Sequence, residues 1–493
     1  MVEDRHHSIP EFIPNWIDGH EQPALSGEVF LKLSPVDGST LCKVARSVAV
    51  DIARAVEVAR RAQVEWASMT PVQRGDIMRE IALAMRQRKR DIAEVVACET
   101  GKSFRDAFEE TAGAIELGMF MGGEGRRFYG RTTTSAIPNR SAMVVRQPLG
   151  VAGLIVPANT PIANVAWKVF PALLCGNAAV LKSSEDSPAT SWIVAQIAHQ
   201  TGLPLGVLNV VHGYGEEAGA SLVAHPNVDV ISFTGSCEVG RVIQRVAGER
   251  LAKVCLEMGG KNPLIVCDDA DLGSAAKWVL LSAFSNAGQR CSSGSRIIIF
   301  EAIYDSFREM LIEGTRKLRV GPSDDDDFGP VINETQLTNM LVAVEKARAA
   351  GGVVLTGGHR MSDRDHRTGF YMAPTMIENV SPEDEISRNE LFGPITCLYR
   401  VKNFEEALAL ANNSPFGLTA SIHTRSIHRA MRFIEKARAG VVVVNSGTYG
   451  SEPHMPFGGV KNSGTGWREP GTEALDVYSD LKTVYINHDP AAV

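Results

Sequence analysis

Apolar residues recur at helical spacing, with charges between them, over positions 51–69 and 74–98, and a third such stretch covers 104–122. The chain is therefore predicted to open on helices. Positions 132–150, "TTTSAIPNRSAMVVRQPLG", are rich in β-formers and broken at Pro138-Asn139, a hairpin pattern whose edge invites pairing with a second subunit. From Val151 the period changes. Short β-rich runs, "VAGLIV", "AAVLK", "VLNVV", "VDVISF" and "PLIVC", alternate with helical stretches such as 187–200 and 215–224, the order expected of βαβ units around a parallel sheet. The alternation resumes with "SRIIIF", a helix over 303–316, "GGVVLTGG", "TCLYRV", a helix over 404–411, "TASIHT" and "GVVVVNS". Two successive α/β domains are expected, joined near 259–263, with "DDDD" at 324–327 as a solvated loop and no internal repeat.

Composition narrows the class. A chain of 493 residues, 44% of them hydrophobic, buries large cores and divides into two or three domains. A net charge of -7 offers no surface for polyanions, so nucleic acid is not an expected partner. Eight cysteines without a C-x-x-C pair read as free thiols of a reducing compartment, and a cytoplasmic location is expected. The first twenty residues lack an apolar core of signal-peptide length, and no run reaches the roughly 18 apolar residues of a membrane helix. One cysteine stands apart. "NAGQRCSSGSR" surrounds Cys291 with small, hydrogen-bonding residues, whereas Cys255 and Cys267 sit in the apolar runs "KVCLE" and "LIVCD". A reactive thiol needs access and polar surroundings; a structural one behaves as a small hydrophobe.

Several motifs fail on inspection. "TGKS" at 100–103 has the end of a P-loop, but Val96 stands where its first glycine belongs, and the stretch follows a helix. Twelve histidines show no H-E-x-x-H or paired ligand spacing, so no metal site is expected, and no G-x-S-x-G marks a serine hydrolase. "GYGEEAG" follows a strand, yet its third glycine comes one residue late for a dinucleotide fingerprint. "VDVISFTGSCEVGR" is stronger. A strand ends at Phe233, Thr234-Gly235-Ser236 turns, and a helix opens, leaving backbone N–H groups and the positive helix end to face a pyrophosphate; an ordinary glycine-requiring turn is the alternative. Upstream, "VLKSSEDSP" ends a strand with Lys182 and Glu185, which suit ribose hydroxyls or are plain surface charges.

The segments "VPANTP", "LKSSE", "FTGSCEVG", "LEMGGKNP" and "GQRCSSGSR", then "ELFGP" and "PFGGVKNSGTG", occur in the order found in the aldehyde dehydrogenase superfamily, which this chain resembles from "NWIDG" to "LKTVYIN". The resemblance implies an α/β fold of three parts: a Rossmann-like cofactor domain over 1–124 and 149–258, a catalytic α/β domain over 259–469, and a small β oligomerisation element over 125–148 and 470–493. It implies an NAD(P)-dependent, non-acylating enzyme, with NAD expected and NADP possible, a small-molecule aldehyde as substrate, and a homodimer or homotetramer. Residue by residue, Cys291 corresponds to the nucleophile, Glu257 to the general base and Asn159 to the oxyanion amide, while Lys168 and Glu469 resemble accessory polar groups. Cofactor contacts are implied at Val156, Pro157, Ala158, Lys182, Glu185, Gly215, Phe233, Thr234, Gly235, Ser236, Val239, Met258 and Gly259. Glu390 matches the residue that holds the nicotinamide ribose, with Phe392 near the ring.

The chemistry explains the residue types. An aldehyde releases hydride only once its carbon is tetrahedral and electron-rich, so a thiolate adds first and donors stabilise the oxyanion. The resulting thioester then needs a base to activate water. Glu257 argues against a CoA-acylating relative, and joint retention of Cys291, Glu257 and Asn159 argues against a catalytically silent one. Two departures bear on substrate. Pro157-Ala158-Asn159-Thr160-Pro161 replaces two bulky aromatics of the usual loop by small residues, and Arg290 precedes the nucleophile, either binding a substrate carboxylate, supporting the thiolate, or satisfying backbone carbonyls. Met258 for leucine conserves volume. The C-terminal "NSGTYGSEPHMPFGGVKNSGTGWREPG" is similar to bacterial semialdehyde dehydrogenases, including the 2-oxoglutarate semialdehyde type.

Overall fold

A computed structural model describes residues 8–491, so positions 1–7 and 492–493, at the ends of the expected domains, lie outside it. The chain does not open on helices. Five short strands, from Phe12–Ile13 to Thr40–Ala45, precede the first helix. Two of them, Asn15–Ile17 and His20–Gln22, extend the edge of a large sheet in antiparallel fashion. These strands are too short for a periodic signal to register. The stretch 74–98 is likewise not one helix but two, Pro71–Gln87 and Lys89–Thr100, meeting at Arg88, whose ψ of 20° leaves the helical region. No proline or glycine marks that break, so the apolar period runs through it unaltered.

Two seven-stranded sheets carry the architecture. In the first, strands Lys253–Met258, Val230–Gly235, Val151–Ile155, Ala178–Lys182 and Leu208–Val211 lie side by side in parallel, followed by the two N-terminal strands. The central strands are mostly apolar and buried almost throughout, Asn209 and the strand-end Lys182 being the polar exceptions, as a sheet covered on both faces requires. Val151–Ile155 lies between Ala178–Lys182 and Val230–Gly235, so the chain winds outward on one side, returns, and winds outward on the other. The carboxyl ends of the two central strands therefore part at a switch point, the usual place for a ligand in an open α/β sheet.

Between Met258 and Asn262 the chain crosses into the second sheet, whose core strands are Asn262–Val266, Gly294–Phe300, Ile395–Val401 and Thr419–His423. The expected alternation holds there except at one edge. "GGVVLTGG" forms Val353–Thr356, which pairs antiparallel with Thr375–Glu378, a strand too short for its pattern to stand out. A third sheet joins the hairpin Arg131–Thr134 and Arg140–Pro148 to Ser479–Asn487. The C-terminal stretch also folds back on the first sheet: Glu257 bridges Gly464, and Met258 N–H donates to Ser463 O at 2.9 Å.

Candidate active site

Cys291 lies between a left-handed turn and the strand Gly294–Phe300. Asn286 (φ 54°), Ala287 (φ 54°) and Gly288 (φ 64°) run consecutively in the left-handed region, a conformation that non-glycine residues hold only when their surroundings enforce it. Gln289 supplies that enforcement. Its carbonyl accepts from Asn159 Nδ2 (3.0 Å) and Asn286 Nδ2 (3.2 Å), its side-chain amide donates to Pro330 O (3.3 Å), and its Oε1 accepts from Ile332 N–H (2.9 Å). Beyond the cysteine, Asn262 Nδ2 donates to Cys291 O (2.8 Å) and Ser293 O (2.9 Å), and Thr448 Oγ1 donates to Ser292 O (2.6 Å). The sulfur is fixed from both sides.

Cys291 and Asn159 open on one cavity of about 330 Å³, lined also by Trp167, Arg290, Tyr449 and Phe457. Asn159 gives one amide hydrogen to Gln289; the NH2 group carries a second, so the expected oxyanion donor keeps a free hydrogen. Lys102, buried, bonds Glu110 at 2.5 Å and donates to Asn159 O at 2.8 Å, which sets the orientation of that backbone.

Glu257, next to last in the strand Lys253–Met258, is 5% exposed, and neither carboxyl oxygen has a hydrogen-bond partner among the described residues. Burial raises its pKa well above the carboxylate norm, and the Glu469 charge adds to the rise, against Lys168 and Arg468. Gly458 approaches this carboxyl closely: a Cβ on it would lie 2.5 Å from Glu257 Oε1 and 3.0 Å from Trp467 O. Behind this carboxyl, Lys168 Nζ donates to Glu469 Oε2 (2.8 Å) and Ser232 Oγ (2.7 Å), and the Tyr478 hydroxyl donates to Glu469 Oε1. Cys291 itself is pushed up to about 12 by burial first, then by Glu390 and Glu257, with the Ser292 N–H and Arg290 opposing. Both shifts run the same way, toward the protonated form of nucleophile and base.

The expected cofactor residues gather at the carboxyl ends of the first sheet. Val156, Pro157 and Ala158 follow Val151–Ile155; Lys182 and Glu185 follow Ala178–Lys182; Gly215 follows Leu208–Val211; Phe233, Thr234 and Gly235 end Val230–Gly235; Met258 and Gly259 follow Glu257. Ser236 caps the helix Cys237–Glu249 by accepting from Val239 N–H (3.3 Å), and Val239, an apolar side chain, is 48% exposed beside that cap. A dinucleotide fits these residues: the helix end suits a diphosphate, and Val239 offers an uncovered apolar face for a base. Lys182 Nζ donates to Glu185 Oε1, an ion pair of 2.8 Å at the end of the strand. Glu390 Oε1 accepts from Gly260 N–H (3.0 Å), and a Cβ on Gly259 would lie 1.8 Å from its other oxygen. Burial lifts this carboxyl to about 7 despite Gly260 and Lys261. Phe392, at φ 54°, is two residues on and half-buried.

Among the described residues, no backbone carbonyl accepts a hydrogen bond from the Arg290 side chain. Its guanidinium lies 5.1 Å from the Tyr449 ring centre, and its Nε is buried without an acceptor. Lys102, Gln289 and Tyr449 were not legible as site residues, because nothing in their local pattern distinguishes them; each enters through a partner distant in sequence.

A cysteine-bearing cavity that meets the switch point of a parallel sheet defines the class, a nicotinamide-linked oxidoreductase acting on the aldehyde group. The chain belongs to the aldehyde dehydrogenase family, whose description, "Aldehyde dehydrogenase family", matches residues 23–484. It is 38% identical over 475 residues to the alpha-ketoglutaric semialdehyde dehydrogenase of Bacillus subtilis, covering 96% of this chain and 97% of that one. It is 36% identical to the 2,5-dioxopentanoate dehydrogenase of Saccharolobus solfataricus, covering 95% and 97%. Among solved structures, betaine aldehyde dehydrogenase of Staphylococcus aureus in complex with NAD+ superposes with a TM-score of 0.96 at 31% identity, covering 99% of this chain and 98% of that one.

Proposed function

We propose that the chain oxidises a short semialdehyde, an aldehyde that also carries a carboxylate, to the dicarboxylic acid with NAD, using Cys291 as nucleophile and Glu257 as base. Alpha-ketoglutaric semialdehyde and 2,5-dioxopentanoate are two names for one five-carbon compound, and both relatives act on it by name. The observation that carries the mechanism is the position of Cys291, fixed by Gln289, Asn262 and Thr448 at the end of the cavity where Asn159 keeps a free amide hydrogen. Lys182, Glu185, Ser236 and Val239 would hold the dinucleotide, with Glu390 toward its nicotinamide end. When bound, the dinucleotide supplies a two-electron acceptor.

The chain's own residues do the rest. The Cys291 sulfur, once deprotonated, adds to the carbonyl carbon, and the oxygen that gains the charge takes hydrogen bonds from Asn159 and the Cys291 N–H. Oxidation of that adduct leaves a thioester on the sulfur. Glu257 then takes a proton from water, the oxygen adds to the thioester carbon, and the C–S bond breaks to release the acid and return the thiol. Lys168 and Glu469 lie behind Glu257 and tune its charge.

We extend the proposal to the assembly: a homodimer or homotetramer built through the third sheet, within the three-part division 1–124 and 149–258, 259–469, and 125–148 with 470–493. Leu481 (59% exposed) and Tyr485 (61%) share one face of the outer strand Ser479–Asn487, an apolar edge that a second copy would cover. No helix among the described residues is long and apolar enough to cross a membrane, and eight free cysteines suit a reducing cytoplasm. The test of function is turnover with 2,5-dioxopentanoate, pentanal and betaine aldehyde in the presence of NAD. The first is expected to have the highest kcat/KM, and Cys291→Ala to abolish it; a preference for betaine aldehyde would overturn the substrate assignment.

A further inference from the structure

The cavity beside Cys291 contains two basic side chains, and they differ in what they hold. Lys102 is committed to Glu110 and to Asn159 O. Arg290 has no carboxylate partner among the described residues, a buried Nε–H without an acceptor, and the Tyr449 ring under its guanidinium. A buried guanidinium N–H without an acceptor is costly until an anion reaches it, and a guanidinium presents a planar fork matched to a carboxylate. Tyr449 keeps that fork in place. Its neighbour Thr448 donates to Ser292 O at 2.6 Å, which ties the ring's segment to the nucleophile loop. Trp278 meets the far edge of Tyr449, with ring centres 6.4 Å apart. Asp106, Glu109 and Glu452 also line the cavity and disfavour an acid group placed beside them.

We propose that Arg290, stacked on Tyr449, anchors the substrate's carboxylate and is the residue that makes this chain select semialdehydes over uncharged aldehydes of equal length. The inference rests on the semialdehyde reading above. Because Arg290 is the residue next to Cys291, the anchor fixes one end of a short substrate while its aldehyde carbon lies at the sulfur. Only aldehydes whose acid group is a few bonds from the carbonyl satisfy both contacts.

The test uses the full chain with NAD and reads a ratio, kcat/KM for 2,5-dioxopentanoate over kcat/KM for pentanal, in the unmodified enzyme, in Arg290→Met and in Tyr449→Leu. The ratio cancels any general effect of Arg290 on the Cys291 thiolate, because that effect falls on both aldehydes. Hydrogen bonds to a charged group are worth about 1.5–3 kcal/mol, so Arg290→Met should lower the ratio roughly 10- to 150-fold, chiefly through KM for the acid. Tyr449→Leu, which keeps the cation but removes its platform, should lower it about 3- to 10-fold. Thermal melting checks that each variant is folded, and Tyr449→Leu carries the test if Arg290→Met is not. A ratio near one in the unmodified enzyme would overturn the semialdehyde reading and the anchor with it. A high ratio that survives in the folded variants, or an equal loss for both aldehydes, would leave that reading intact and overturn the anchor alone.

Discussion

The pKa values of Cys291 and Glu257 are both shifted upward in a site whose proposed chemistry needs both groups ionised, and the causes of each shift say what changes them. Burial and the Glu390 carboxylate are the leading reasons the thiol is raised to about 12. A nearby negative charge disfavours the thiolate, so removing it lowers the thiol's pKa. Glu390→Gln should therefore speed alkylation of Cys291 by iodoacetamide at pH 8–9 in the absence of cofactor, and an unchanged rate-versus-pH curve would show that Glu390 does not bear on the sulfur. For Glu257 the sign runs the other way in activity. A carboxyl with a raised pKa is a competent base only above that pKa, so deacylation should rise with pH and lose this limb in Glu257→Gln. Base assistance is worth about 10²- to 10⁴-fold, and Glu257→Gln should lose steady-state turnover in that range while giving a burst of NADH and an acyl group on Cys291 detectable by intact-mass spectrometry. Normal turnover, or no acyl-enzyme at any pH, would move the base elsewhere, first to Glu469.

At the level of elements, the strand-end grouping carries the cofactor prediction. Glu185, paired with Lys182, presents a carboxylate where a 2'-phosphate would meet repulsion, so NAD should be preferred and Glu185→Ser should narrow the gap to NADP. Equal efficiency of the unmodified enzyme with both cofactors would contradict it. A second prediction concerns the buried Lys168–Glu469 pair. Removing one charge strands the other, a loss of about 3–5 kcal/mol, whereas replacing both by neutral groups of similar volume is far milder. Denaturant titration of Lys168→Met against Lys168→Met with Glu469→Gln should show that order. How much of this was visible beforehand differs by element. Apolar strands such as Ala178–Lys182 and the turn into Cys237–Glu249 were legible because their patterns are local. The N-terminal strands were not, being two to six residues long, and the break at Arg88 left the apolar period intact. At the site, Cys291 and Glu257 stood out through the segments around them, while Gln289, Lys102 and Tyr449 gain their roles only from contacts that cross between elements.

For the whole molecule, the outer strand Ser479–Asn487 is an unpaired edge that exposes Leu481 and Tyr485. Leu481→Asp with Tyr485→Asp should shift the mass measured by light scattering toward a single chain, and an unchanged mass would place the subunit contact elsewhere. The same C-terminal stretch holds the roof over Glu257 and the counter-charge of Lys168. That lysine and Glu469 are 301 residues apart in sequence. During synthesis the ammonium thus leaves the ribosome long before its carboxylate exists, on a helix that is otherwise ready to bury. A chain released early, short of its last few dozen residues, would have an uncompensated cation in its first domain and no ceiling over its base. The charge balance of the catalytic centre is thus complete only when the last part of the chain has been made.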